Sequence, residues 1–236
     1  MKWTRPIRIP SEIEITQGEP PTLPVDTRVV VALPFVLSRP VPAGAELRLQ
    51  IQGGRNNRGG FVRVQVENPA DEGYLSARLT DGSPLALKTL KRDALFVVTP
   101  PAGGLPRGAG ITVLLGDPAG GCPGVRTTAG YIANKFCALF LAPDETQPGT
   151  PAWAGGDVWN ADTAARMVAA CSFHLIGGPR ARLRAYAPAE VRPGVPFTVR
   201  VRPEDARGNR SVERPGELRL TAGGTPLAAA REEAPD

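Results

Sequence analysis

Residues 190–210 read EVRPGVPFTVRVRPEDARGNR, and this stretch decides the fold class. The Pro-Gly pair at 193–194 forms a turn, and apolar residues then occupy every second position from 197 to 201, as in a half-buried strand. Gly-Asn at 208–209 ends the segment with a second turn. The pattern predicts the first half of an immunoglobulin-like (Ig-like) β-sandwich, a scaffold that carries no chemistry of its own.

The composition extends the all-β prediction to the whole chain. Its 236 residues suffice for one large or two ordinary domains, and its 27 glycines and 26 prolines fall mostly between short alternating apolar runs. With 42% hydrophobic residues the chain is too apolar to be disordered, yet no run approaches the ~20 apolar residues of a membrane span. We therefore expect a soluble protein that does not enter a membrane.

Two features bear on the cellular compartment. The N-terminal sequence MKWTRPIRIPSEIEIT has no apolar stretch of about 7 to 15 residues and no small-residue cleavage site, so no secretory signal is seen and a cytoplasmic protein is predicted. The three cysteines, Cys122, Cys137 and Cys171, are an odd number without CxxC spacing. Their count argues against a disulfide framework and against a thiolate metal site, so we expect reduced thiols.

Strand-sized segments with turn signals between them cover most of the chain, as in a sandwich or barrel. The continuously apolar run 29–36 predicts a strand that is buried on both faces or crosses a sandwich core. Alternating apolar residues predict further strands at 47–51, 62–66 and 75–79. Other candidate strands lie at 94–99, 111–115, 135–141 and 167–175.

The Gly-Gly-Pro sequence at 177–179 is the best candidate for a domain junction. It would separate a large N-terminal β-sandwich, residues 1–178, from an Ig-like β-sandwich, residues 179–236. A long loop rich in Pro and Gly is predicted at 142–166 of the first domain. Because an Ig-like sandwich has about a hundred residues, the second domain is predicted to be short or truncated.

A basic strand face is the most distinct feature of the charge pattern. The formal net charge is +5, almost all positive charge is arginine, and several arginines alternate with apolar residues in predicted strands. This candidate basic face comprises Arg182, Arg184, Arg200, Arg202 and Arg219. The favoured interpretation is a solvated face that nearby acidic residues balance, namely Glu190, Glu204, Asp205, Glu213 and Glu217. The alternative is a surface for an acidic partner or a polyanion, and nucleic acid is the less favoured ligand.

The glycine-rich loop 116–124 follows a predicted strand. It lacks the Lys-Ser/Thr of a phosphate-binding loop, and no helix is signalled after it. A plain loop is therefore favoured, and the alternative is a ligand or docking site with Asp117 and Arg126 as polar contacts.

Glycan binding is the strongest alternative to a purely structural role. Trp153, Trp159 and Tyr131 would form an aromatic platform on which sugar rings could stack. The favoured interpretation is that these rings cover the end of a sandwich core.

The sequence offers little catalytic chemistry. His174 is the only histidine and lies in an alternating apolar stretch, where a structural imidazole is favoured over a ligand or general base. No GxSxG motif is present. We therefore predict no catalytic residue, no metal site and no cofactor.

Two segments resemble known proteins. VRPGVPFTVRVRPEDARGN resembles the opening of Ig-like repeats of the invasin or filamin type. Residues 111–145 read ITVLLGDPAGGCPGVRTTAGYIANKFCALFLAPDE. This longer segment, followed by such a repeat, resembles the N-terminal region of a bacterial family of unknown function. In that family a β-sandwich leader and an Ig-like segment precede a metal-dependent barrel similar to PHP phosphoesterase-like domains. The His and carboxylate clusters of such a barrel are missing from this sequence, so the resemblance implies an accessory region without catalytic residues.

The expected function is that of a non-catalytic structural or interaction module. Its partner would be a protein domain or another chain, as for the leader of a larger, metal-dependent hydrolase-like protein. A carbohydrate-binding module is the alternative, and a small hydrolase is a distant third.

Overall fold

The computed structural model describes residues 22–51, 60–91, 95–130, 132–142, 166–192, 194–195, 197–213, 221–222 and 224–226. Within these ranges the protein is built of strands, with a three-residue 3₁₀ helix at Pro118–Gly120 and no helix of seven residues or more. The predicted all-β fold class is confirmed. None of the described residues forms a helix with the length and apolar character needed to cross a membrane.

The chain divides into two compact units, Met1–Ile176 and Gly177–Asp236. The strands of the first unit are β1 (Thr22–Pro24), β2 (Arg28–Val29), β3 (Val31–Val36), β4 (Leu47–Gln50), β5 (Leu75–Leu79), β6 (Pro84–Lys91), β7 (Leu95–Thr99), β8 (Gly110–Leu115), β9 (Val125–Arg126), β10 (Ile132–Leu141) and β11 (Met167–Ile176). Those of the second unit are β12 (Arg182–Tyr186), β13 (Arg200–Glu204), β14 (Thr221–Ala222) and β15 (Thr225–Pro226).

Nine strands of the first unit form one curled sheet, in the order β1-β11-β10-β4-β7-β6-β5-β8-β3. All neighbours are antiparallel except β1 and β11. Strand β6 joins the two halves, because Pro84 and Leu85 pair with β5 while residues 86–91 pair with β7. Just after β3, Ser38 donates its N–H and its hydroxyl to the Val168 carbonyl on β11, at 2.8 and 2.9 Å. The curl therefore brings the end of β3 to β11.

The hydrophobic core lies inside this curl. Alternate residues of each strand point into it, as the period of two requires, and Leu47, Leu49 and Ile51 are fully buried. The Phe61 and Phe173 rings pack within the core with centroids 5.1 Å apart. Strand β4, Leu47–Gln50, confirms the predicted strand at 47–51 to within one residue.

The opposite face of the central strands is also buried, which the alternation at 47–51 does not predict. Arg48 and Gln50 of β4 are only 7% and 1% exposed. A second apolar cluster on β10 and β11 comprises Ala138, Phe140, Met167 and Ala170. The central strands are thus covered on both faces, with an arginine in the outer layer.

The prediction for 29–36 is right about a strand but wrong about burial on both faces, and the prediction of a strand at 62–66 is wrong. The run 29–36 gives β3, which lies at the sheet edge and buries only alternate residues, so that Val36 is 46% exposed. Residues 62–66 form no strand, and neighbouring Phe61 and Gln65 make only isolated bridges. Gln65 Oε1 instead accepts the N–H groups of two following residues and stabilises a loop.

In the second unit, β12 and β13 form an antiparallel pair. Their register runs from Arg182 opposite Glu204 to Tyr186 opposite Arg200. The predicted strand at 197–201 is observed only from Arg200 onward, and Phe197 is 50% exposed. The Ig-like character of this unit stays a prediction.

Candidate functional site: the arginine face

One face of the β12–β13 pair carries the arginines of the predicted basic face that the structure describes. Directly opposite residues of an antiparallel pair share a face, and so do alternate residues along each strand. The face, called the arginine face below, comprises Arg182, Arg184 and Tyr186 from β12 and Arg200, Arg202 and Glu204 from β13. Four of the five predicted arginines are therefore brought together. Arg219 lies outside the described residues.

Glu204 is the acidic partner that the arginines of the arginine face share. Its residue is fully buried, and its two carboxylate oxygens have different partners. Oε2 accepts from Arg182 Nε and Nη2, both at 2.9 Å, while Oε1 accepts from Arg202 Nε at 3.0 Å and from its Nη2. Arg184 Nη1 lies 3.9 Å from Oε1. One carboxylate thus fixes two guanidinium groups and attracts a third.

The electrostatics of the face follow from these contacts. The hydrogen bond from Arg202 is the main reason that the pKa of Glu204 lies below its usual value, and Arg182 adds to the effect. The same bond to Glu204 raises the pKa of Arg202. Glu204 is therefore ionised at neutral pH, and one negative charge faces the positive charges of four arginines. The face stays strongly basic.

The Tyr186 ring also stabilises the guanidinium groups of the arginine face. The Cζ atoms of Arg184 and Arg202 lie 5.6 and 5.3 Å from the ring centroid, within cation–π range. The Tyr186 hydroxyl donates to Glu204 Oε1 at 3.4 Å. The sequence interpretation missed this residue, although it lies two positions after Arg184 in the same alternation.

The arginine side chains remain accessible despite these contacts. The exposed fractions of the side chains are 54% for Arg182, 58% for Arg184 and 41% for Arg202. Of the acidic residues expected to balance the face, Glu204 does so, whereas Asp205 binds donors of the following turn and Glu213 accepts the Arg180 N–H. Glu217, another acidic residue expected to balance the face, lies outside the described residues.

The other candidate docking residues, Asp117 and Arg126, are not brought together. Asp117 is buried, and it accepts from the Ser76 hydroxyl and from the Ala119 N–H, which caps the 3₁₀ turn. Arg126 pairs with Asp26 through Nε at 3.0 Å and Nη2 at 2.7 Å. No hydrogen bond or ion pair between Asp117 and Arg126 occurs in the described chain. Each side chain has a structural partner of its own.

The remaining candidates give no site in the described residues. Trp153, Trp159 and Tyr131 lie outside them, as does most of the predicted loop 142–166. His174 lies on β11, opposite Thr22 of β1. Among the residues with described positions, no three His, Cys, Asp or Glu side chains form a group that could hold a metal ion.

The arginine face has the chemistry of anion recognition. A guanidinium group presents five N–H donors in a planar fork that matches carboxylate and phosphate oxygens. Glu204 and Tyr186 restrict the motion of these forks without covering them. Comparisons of the chain with protein-family models, with curated proteins and with solved structures found no match.

Proposed function

We propose that this protein is a non-catalytic interaction module whose arginine face binds an acidic surface of a protein partner. The observation that carries the proposal is the network in which Glu204 and Tyr186 hold Arg182, Arg184 and Arg202 while about half of each arginine side chain stays exposed. Arginines that were only solvated would not need to be held in such a network. Held side chains lose less conformational entropy when a partner binds, so the arrangement favours association.

A carboxylate-bearing protein fits the face better than a nucleic acid. The face spans only five residues along each strand, and the buried Glu204 carboxylate neutralises part of its positive charge. A continuous phosphate backbone would extend beyond so short a face, whereas separate carboxylates can bind the accessible guanidinium donors. Complementary charge of this kind raises association rates and sets orientation.

The resemblance to the leader of a metal-dependent hydrolase-like protein suggests what the partner is. By that resemblance, the acidic surface would belong to a barrel domain of the same protein or complex, and the present module would position it. The carbohydrate-binding alternative depends on Trp153, Trp159 and Tyr131, so it stays a prediction.

Fluorescence anisotropy tests the arginine face by measuring, at low salt, how tightly the protein binds a labelled poly-L-glutamate of about 20 residues. The informative variant is Arg184→Gln/Arg200→Gln. It keeps Arg182 and Arg202, which are the closest partners of Glu204. We expect its affinity to fall by about fivefold to tenfold, since two charge contacts are lost. Raising the salt concentration should weaken binding by the wild-type protein.

The matched control is Arg78→Gln/Arg107→Gln, which removes the same charge from exposed positions of the first unit. Its affinity should stay within about twofold of the wild-type value. Equal losses in both variants would mean that net charge alone attracts the probe, and the proposal would fail. It would also fail if the wild-type protein did not bind at low salt, or if an oligothymidylate of the same length bound more tightly through the face.

A further inference from the structure

Cys137 and Cys171 lie directly opposite each other in the antiparallel pair β10–β11. Both side chains are fully buried and belong to the same hydrophobic core, so they project from the same face of the sheet. Both are free thiols in this structure. The strand register therefore brings Cys137 and Cys171 together, although their separation in the sequence did not indicate a disulfide.

The backbone geometry at this position suits a disulfide. Directly opposite residues of an antiparallel pair have Cα atoms about 4.5 or 5.5 Å apart, and disulfides span about 4.4 to 6.8 Å. The opposed positions of the two residues therefore suit a bond between their sulfur atoms. The Cys137 thiol is near enough to Cys171 to contribute to the raised pKa of its thiol.

Cys122 is held elsewhere. It lies in the loop after β8, where its Sγ donates to the Gly124 carbonyl at 3.5 Å. The three cysteines thus divide into one facing pair and one separate thiol. The odd number of cysteines argued against a disulfide framework, but it does not exclude a single disulfide.

We propose that Cys137 and Cys171 form a cross-strand disulfide when the protein folds in the presence of an oxidant, and that Cys122 remains a thiol. With glutathione disulfide as oxidant, the thiolate of one cysteine displaces one glutathione and forms a mixed disulfide. The thiolate of the other cysteine then displaces the second glutathione. The protein gives up two protons and two electrons, and glutathione disulfide becomes two molecules of glutathione.

The folded protein protects the pair from this reaction. Burial, with a smaller contribution from the Cys137 thiol, raises the pKa of Cys171 well above its usual value. Because the thiolate is the attacking species, oxidation in the folded state is slow at neutral pH. The bond therefore forms during folding, and reduced folded protein stays reduced under mild oxidant.

A bridge at this position would stabilise the first unit. It closes the loop formed by residues 138–170, the chain between the two cysteines. Closing a loop of this length in the unfolded chain removes enough conformational entropy to raise the melting temperature by about 10 °C.

Oxidative refolding of the full chain tests the proposal. Denatured, reduced protein is refolded with a glutathione redox buffer or with a reducing agent, and is then digested without reduction and mapped by mass spectrometry. We expect a linked peptide pair containing Cys137 and Cys171, with Cys122 open to alkylation after unfolding. The oxidised protein should melt about 10 °C above the reduced protein, and Cys122→Ser should behave in the same way.

Three results would overturn the proposal. They are a bridge that includes Cys122, three alkylatable thiols after oxidative refolding, and an oxidised protein that melts no higher than the reduced one. The Cys137→Ala/Cys171→Ala variant should have one melting temperature in both buffers. If that variant does not fold, the wild-type and Cys122→Ser proteins still decide the question.

Discussion

Replacement of Phe173 by alanine is expected to lower the free energy of unfolding of the first unit by about 3 to 5 kcal/mol. Phe173 is fully buried and packs against the Phe61 ring, and a Cβ atom on Gly60 would lie only 2.9 Å from its Cε2 atom. A cavity at so tightly packed a site adds its own cost to the lost transfer free energy. Urea denaturation followed by circular dichroism measures the change.

Phe197→Ala is the matched control, because it removes the same atoms from a ring that is 50% exposed. Its cost should stay below about 1 kcal/mol. Hydrogen exchange monitored by mass spectrometry assigns each loss to the first or the second unit. A cost below about 1 kcal/mol for Phe173→Ala would contradict the packing described for this core.

Alternating apolar residues made the core strands predictable. Leu47, Leu49 and Ile51 share one face because side chains alternate along a strand, whatever the neighbouring strands are. The burial of Arg48 and Gln50 was not predictable, because alternation shows which residues share a face and not what covers that face. What covers the second face of a strand depends on the topology of the whole sheet, which local alternation does not show.

The errors in strand prediction have the same cause, because local sequence does not show where a strand lies in the sheet. The apolar run 29–36 looks like a strand covered on both faces, but among the described strands of the large sheet β3 pairs with β8 alone, and its outer residues are partly exposed. Strand β6 was not predicted. Lys88 and Lys91 make it look like a surface segment, yet it connects the two halves of the sheet.

The candidate sites depend on register in a similar way. The alternation along β12 and β13 predicted a basic face, but only the observed register puts Glu204 opposite Arg182 and within reach of Arg202. Likewise, Cys137 and Cys171 became a pair only through the ladder of β10 and β11. Neither pairing has a local sequence signal.

The turn after β13 depends on one carboxylate. Asp205 Oδ1 accepts the N–H groups of Arg207 and Asn209 at 2.9 and 2.8 Å, and Oδ2 accepts from Gly178 N at 3.1 Å and Asn209 Nδ2 at 3.0 Å. Burial alone would raise the pKa of Asp205. The hydrogen bonds from Asn209, Gly178 and Arg207 outweigh burial and lower that pKa from 3.8 to about 2.

Asp205→Asn should lower the free energy of unfolding of the second unit by about 2 kcal/mol near neutral pH, because the amide loses the charge that strengthens these bonds and places an NH₂ group against N–H donors. A folded pKa of about 2 against 3.8 means that the carboxylate's contribution is present above pH 3.8 and is lost as pH falls towards 2. Wild-type and variant proteins should therefore converge in stability on acidification. Hydrogen exchange of peptides from residues 177–213 measures both effects.

The control for Asp205→Asn is Asp81→Asn. Asp81 is exposed to water and accepts the Ser83 N–H at 2.9 Å, so its replacement should change stability far less. If Asp205→Asn were as mild as Asp81→Asn, or if its effect persisted unchanged at acidic pH, the ionised carboxylate would not be what holds the turn. A confirmed loss would show that the second unit depends on a polar turn, since its strand β12 is exposed along its whole length and offers little apolar burial.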